Sequence, residues 1–208
     1  LASGGKILRV ILGNYEKEQT ALFEKMIAEG ETVFDVGAHT GYYSLLASQL
    51  VGRRGYVFSF EPEPVNFFFL KSHMEINKAN NVIATEAADG DKNGIVYFSR
   101  GTGTGTGRVS SEQGPLAVRM LTVDSFVRKN RIHPAYIKID TEGAEVMVLN
   151  GAKETLGRVK PVIFLSTHGP DLHRQCLDFL KLLGYRFEPV LGTDINTTTE
   201  VLCLPPNR

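Results

Sequence analysis

The chain has 208 residues, 42% apolar and 22% charged, enough for a full-sized core and typical of a globular protein. Lysine plus arginine and aspartate plus glutamate each total 23, so net charge is zero and the balance calls for neither nucleic acid nor an acidic membrane as partner. Apolar runs such as Val162-Ile163-Phe164-Leu165 are too short to cross a bilayer, and Cys176 and Cys203 make neither a disulfide framework nor a metal motif; with no leader-like pattern at the N-terminus, the expected compartment is the cytoplasm.

A single domain over residues 1–208 is expected, with 1–30 as a helical lead-in. Residues 16–29 carry Leu22, Phe23, Met26 and Ile27 in helical rhythm, stopped by Gly30. Residues 32–36 read as a buried strand and 41–50 as the helix behind it. A second strand, 56–60, ends at Glu61-Pro62. Pro64 suits the first turn of a helix reaching to about residue 79, with Phe68, Phe69 and Ile76 expected to face inward. A third strand is expected at 82–87.

Residues 99–118 interrupt this alternation. The run Gly101-Thr102-Gly103-Thr104-Gly105-Thr106-Gly107 cannot bury a core and is expected to be a loop. It is either a plain connection across a hairpin of 95–98 with 117–121 or a flap over a ligand. Helices at 122–129 and 143–150 and strands at 135–139 and 161–166 follow. An amphipathic helix at 171–183 is capped by Gly184. Strands at 185–189 and 200–204, with no helix between them, suggest an antiparallel hairpin at one edge. The fold class is therefore α/β, with a doubly wound, mostly parallel sheet.

In such a sheet a ligand lies at the carboxyl ends of the strands. The expected ends carry Asp35, Glu61-Pro62, Ala88-Asp89, Asp140-Thr141-Glu142-Gly143 and Thr167-His168. Asp35 leads into the turn Gly37-Ala38-His39-Thr40-Gly41, whose glycines stand four residues apart. The G-x-G-x-x-G fingerprint of dinucleotide sites is absent, and no P-loop lysine follows. Asp35 would repel a phosphate and suits a cation. Glu61, 20 residues beyond Gly41, stands where an acid accepts hydrogen bonds from both hydroxyls of a ribose. A nucleoside with a positive, amino-acid-like tail satisfies these features, and S-adenosylmethionine is such a molecule.

The runs Phe34-Asp35-Val36-Gly37-Ala38-His39-Thr40-Gly41-Tyr42-Tyr43-Ser44 and Phe60-Glu61-Pro62 resemble those of FkbM-type S-adenosylmethionine-dependent methyltransferases. So do Leu121-Thr122-Val123-Asp124-Ser125-Phe126, Ile137-Lys138-Ile139-Asp140-Thr141-Glu142-Gly143-Ala144-Glu145 and Leu149-Asn150-Gly151-Ala152. The resemblance implies a seven-stranded methyltransferase sheet, S-adenosylmethionine as donor, and O-methylation of a hydroxyl on a small molecule or saccharide. It places Asp35, Gly37, Ala38, His39 and Gly41 at the methionine end, Glu61-Pro62 at the ribose and Ala88-Asp89 at the adenine. Asp140 and Glu142 fall near the methyl-transfer point. Family members often carry a glutamate two residues before the histidine that follows the fifth strand; here Ser166 stands there.

A hydroxyl acceptor must lose its proton. His168 is the first candidate base because imidazole titrates near neutrality, with Asp140 second and Glu142 third. These three could also hold a divalent ion, but no tight ligand spacing is present and no metal is expected. His39 is expected to bond locally, His73 and His173 to lie at the surface, and Glu145 to face solvent or pair locally. Asp124 either caps its helix or reaches the cofactor side. Two other readings stand beside methyl transfer: a nucleotide-dependent oxidoreductase on a related sheet, and a non-catalytic S-adenosylmethionine-binding domain.

Overall fold

A computed structural model describes residues 16–100, 107–110 and 116–206. Its elements run α1 (Lys17–Met26), β1 (Thr32–Val36), α2 (Tyr42–Val51), β2 (Tyr56–Phe60), α3 (Pro64–Ile76), β3 (Val82–Thr85), β4 (Ala88–Asp89), β5 (Gly94–Arg100), β6 (Gly107–Ser110) and β7 (Leu116–Leu121). They continue with α4 (Val123–Asn130), β8 (Tyr136–Ile139), α5 (Glu145–Gly151), α6 (Lys153–Arg158), β9 (Val162–Ser166), α7 (Pro170–Leu182), β10 (Arg186–Pro189) and β11 (Glu200–Leu204).

Seven strands form one sheet in the order β10-β11-β9-β8-β1-β2-β3. Strands β3, β2, β1, β8 and β9 run parallel to one another, and β11 enters antiparallel between β9 and β10. The expected antiparallel C-terminal pair stands at one edge, with β10 outermost and β11 beside β9.

Period-two alternation divides the sheet between two cores. Val33, Val57, Tyr136, Phe164 and Leu202 pack with Phe23 of α1 and Tyr43, Ala47 and Val51 of α2. Phe34, Val36, Ile137, Ile139, Ile163 and Leu165 pack on the other side with Val148 and Leu149 of α5, Leu156 of α6 and Cys176 and Leu180 of α7. Phe126 of α4 meets Phe34, Phe58 and Phe60 with ring centroids 5.7, 5.6 and 4.9 Å apart in edge-on contact. Each such pair contributes about 0.5–1.5 kcal/mol beyond its buried area.

Several expectations need correction. Phe68 and Ile76 of α3 are 65% and 75% exposed and Phe69 is exposed too; Leu70 and Met74 turn inward instead, against Ala38 and the glycine turn. The third strand stops at Thr85, and Ala88-Asp89 start a second sheet, β4-β7-β5-β6. Part of the expected 99–118 loop is strand: β5 extends to Arg100, and β6 pairs with it in register Tyr97↔Ser110. Residues 101–106 and 111–115, and with them most of the expected flap, lie outside the described residues. β5 and β7 do pair antiparallel, Ile95 opposite Arg119. Helix α6 was not expected, because its six residues carry too short an apolar period to read.

Asp124 accounts for α6. Its carboxylate accepts from the amides of Glu154 and Thr155 (2.9 and 2.8 Å) and from Thr155 Oγ1 (2.6 Å). It therefore caps the first turn of a neighbouring helix, while Thr122 caps α4 through the amide of Ser125.

Candidate active site

The glycine turn after β1 is built for close approach. Gly37 sits at φ +82°, and a Cβ there would overlap the carbonyl oxygen of Asp140. Gly41 sits at φ +93°, and a Cβ there would fall 2.6 Å from Leu70 Cδ1 and 2.8 Å from Met74 Cε. Only glycine meets both conditions at these positions. The amides of Gly37 and Ala38 both donate to Phe60 O (3.0 and 2.9 Å), Gly41 donates to Ala38 O, and His39 N donates to Glu61 Oε2 (2.8 Å). A phosphate cradle needs such amides pointing at the ligand, and here they bond within the protein.

Asp35 is buried at the head of that turn. Its Oδ2 accepts from Ser44 Oγ at 2.6 Å, while Oδ1 is buried without a partner among the described residues. Burial raises its pKa, opposed by Lys138 and by the Ser44 bond. Glu61 is buried just after β2, Oε1 accepting from Glu63 N at 3.0 Å, and burial pushes its pKa up to about 7. Pro62 is half-buried next to it, and Glu63 caps α3 through Asn66 N. Asp89 is buried with Ala88, and neither of its oxygens has a partner among the described residues. Burial alone raises its pKa well above the usual carboxylate range.

Asp140, Glu142 and His168 meet at the ends of β8 and β9. His168 Nε2 lies 3.7 Å from Asp140 Oδ1 and 3.4 Å from Glu142 Oε2. Glu142 occupies left-handed backbone, φ +54°, followed by Gly143 at +110°. The remaining ring nitrogen, Nδ1, donates to Glu145 Oε1 at 2.9 Å. Glu145 is completely buried at the start of α5, and the same oxygen accepts from Gly143 N at 2.8 Å. The Glu145 bond raises the His168 pKa to about 9 against the opposing effect of burial, with Asp140 and Glu142 adding to the rise.

Two residues of this neighbourhood escaped the sequence reading. Glu145 was expected at the surface or in a local pair; it is buried and reaches 23 residues along the chain to His168. Its signal was its position after Gly143 at a helix start, which does not by itself reveal a tertiary partner. Lys138 is the second. It is buried, its Nζ 3.2 Å from Asp140 Oδ2 and 4.7 Å from the centre of the Tyr43 ring. Burial acts to lower its pKa, but Asp140, Asp35, Glu16 and Glu200 outweigh this and raise it. The signal was a lysine in an otherwise apolar strand.

Of the other histidines, His173 and His73 depart from expectation and His39 does not. His173 is buried, paired with Thr167 Oγ1 (2.9 Å) and Ile195 O (2.7 Å), and so fastens α7 to the segment before β11. His73 is half-buried and its Nδ1 donates to Thr40 O at 2.7 Å, tying α3 to the glycine turn. His39 bonds locally, its ring 3.3 Å from Thr40 Oγ1, at φ +50°. Ser166 donates to Glu200 Oε2 at 2.7 Å; the two are paired across β9 and β11, so a neighbouring strand supplies a carboxylate beside the serine.

The buried orphan oxygens of Asp35 and Asp89 call for donors, and the glycine turn offers a backbone surface without a phosphate nest. That donor set fits S-adenosylmethionine, which brings an ammonium and an adenine amino group. With the strand order above, the fold is that of class I S-adenosylmethionine-dependent methyltransferases, and S-adenosylmethionine is the cofactor. Residues 35–187 match the Methyltransferase FkbM domain, and the chain belongs to that family.

Three relatives place it further. It is 28% identical over 183 residues to Hexuronic acid methyltransferase AglP of Haloferax volcanii, an alignment spanning 86% of this chain and 71% of that one. The structure of Methyltransferase FkbM from Methylobacillus flagellatus aligns with TM-score 0.59 at 19% identity, over 84% of this chain but only 43% of that one. Aeropyrum pernix fibrillarin, in complex with natively bound S-adenosyl-L-methionine, aligns with TM-score 0.55 at 14% identity over 91% and 74% of the two chains. The two structural likenesses show the shared fold. Among the described residues no helix is long and apolar enough to cross a membrane.

Proposed function

We propose that this methyltransferase transfers its methyl group to a hydroxyl oxygen of a saccharide. The observation that carries the reading is the meeting of Asp140, Glu142 and His168 at the strand ends, with the Asp140 carbonyl pressed against Gly37 of the cofactor turn. The similarity to a hexuronic acid methyltransferase supports a sugar as acceptor.

In this reading Asp35 Oδ1 takes the ammonium of the donor, Glu61 the ribose hydroxyls, and Ala88-Asp89 the adenine, with Gly37, Ala38, His39, Gly41 and Pro62 shaping the surface between them. S-adenosylmethionine supplies an electrophilic methyl on a sulfonium. The chain's own task is alignment, since in-line displacement depends above all on placing the acceptor oxygen. The acceptor proton goes to the carboxylates. At neutral pH His168 carries its proton, and its Nε2 faces the carboxylates of Asp140 and Glu142. One of those carboxylates accepts the hydroxyl proton as the O–CH3 bond forms, and the departing sulfonium becomes a neutral thioether.

Methyl transfer from labelled S-adenosylmethionine to a panel of free hexuronic acids and neutral sugars tests the proposal. An alkali-stable methyl ether is expected. An alkali-labile ester would overturn the hydroxyl assignment, because a sugar carboxylate needs no base. A protein that binds S-adenosylhomocysteine yet methylates no sugar would overturn the saccharide.

A further inference from the structure

We propose that Asp140, Glu142 and His168 form a binding site for a divalent cation of the Mn2+ and Mg2+ type, with Glu145 as the group that orients the histidine ligand. One ligand atom from each of the three residues lies within 4.8 Å of the others. They come from two loops, after β8 and after β9, that approach only in the folded chain.

Three features point to a cation and away from a plain ion-pair cluster. First, Nε2 stands 3.4 and 3.7 Å from its two carboxylate oxygens, longer than a charge-assisted hydrogen bond of about 2.7–2.9 Å. Two ligand atoms can each lie about 2.1 Å from one shared ion when they are no more than roughly 4.2 Å apart, and both separations meet that limit. Second, His168 gives its other nitrogen to a fully buried carboxylate, Glu145, at 2.9 Å. Metal-binding histidines are oriented in this way, with the tautomer fixed so that the free nitrogen faces the ion. Third, Lys138 takes Asp140 Oδ2, which turns Oδ1 toward His168. Two carboxylates with one imidazole make a mostly hard donor set, suited to Mn2+ or Mg2+ with water or an acceptor hydroxyl completing the shell.

The role of the ion rests on the hydroxyl-methylation reading: a coordinated hydroxyl loses its proton more readily. Its binding does not depend on that reading. Binding the cation displaces only the proton on Nε2, and no electron changes hands.

Untagged protein, stripped with chelator, is titrated with Mn2+ alone and followed by the loss of free Mn2+ electron paramagnetic resonance signal. One saturable site is expected in the micromolar range. Glu142→Gln, a half-exposed turn position, is expected to weaken it at least tenfold, and His168→Gln to abolish it. Glu145→Gln is expected to weaken it 10–100-fold, the loss typical of an orienting partner. No saturable binding up to millimolar Mn2+ would overturn the proposal. So would binding unchanged in Glu142→Gln and His168→Gln, with circular dichroism showing all variants folded. Calorimetric titration with S-adenosylhomocysteine in excess chelator separates the two readings. Homocysteine-form binding without Mn2+ binding removes only the cation, whereas Mn2+ binding without it removes the donor-site assignment and leaves the cation.

Discussion

Gly37 and Asp140 touch through their backbones: the space a Cβ on Gly37 would need is filled by the Asp140 carbonyl. The glycine turn after β1 and the acidic loop after β8 are thus pressed together, and each sets the position of the other. In the proposed reading this contact joins the donor half of the site to the acceptor half.

Gly37→Ala should therefore cost more than an ordinary glycine substitution. The left-handed backbone at φ +82° and the overlap with Asp140 together amount to about 3 kcal/mol, and melting should fall by roughly 6–12 °C. Gly30 is the control: it has φ +86° but open space around it, so Gly30→Ala should lose only about 1 kcal/mol. Equal melting temperatures for the two variants would contradict the close contact.

If Glu61 holds the ribose as proposed, cofactor affinity should depend on pH. Its pKa in the fold is about 7, above its ordinary 4.5, so the fold favours the protonated acid. That contribution to stability is full below 4.5 and is lost as pH rises through 7. Ribose hydroxyls favour the charged form instead, so S-adenosylhomocysteine should bind about tenfold more tightly at pH 8 than at pH 6 by calorimetry. In Glu61→Gln both trends should vanish. A wild-type affinity that is flat across this range would argue against a ribose at Glu61.

Asp89 should show stability and binding moving apart. It is buried with both oxygens unpartnered among the described residues, and its raised pKa means that ionisation at neutral pH costs folding energy. Asp89→Asn removes that cost, so the cofactor-free protein should melt at the same temperature or higher. Affinity for S-adenosylhomocysteine should nonetheless fall about tenfold. Unchanged affinity would place the adenine elsewhere.

Asp124 should behave in the opposite way. Its three hydrogen bonds hold the first turn of α6, so Asp124→Ala should lose about 1–2 kcal/mol in denaturant unfolding. Affinity for S-adenosylhomocysteine should be unchanged. A weakened affinity in a folded variant would place Asp124 on the cofactor side.

Legibility followed how far each interaction reaches along the chain. The parallel strands were readable because their apolar runs and glycine turns are local patterns. The inward face of α3 was misread because Phe68, Phe69 and Ile76 are apolar yet sit on the open side, while Leu70 and Met74 cover the turn. Of the second sheet only the β5–β7 pair was readable; β4 and β6 were missed because β4 is two residues long and β6 follows a glycine–threonine run. His173 was placed outside, and Glu145 outside or in a local pair, for the same reason: polarity predicts exposure until a buried partner is known.

By itself the sequence determined the α/β alternation, the glycine turn from Asp35 to Gly41 and the acids standing at the strand ends. These depend on residues within a few positions of each other, where steric rules and periodicity act directly. Only the tertiary structure decided that His168 meets Asp140 and Glu142, that Glu145 holds it from beneath, and that Lys138 turns Asp140 toward it. Those pairings join β8, α5 and the loop after β9, and no local pattern encodes a distance between segments that packing alone brings together.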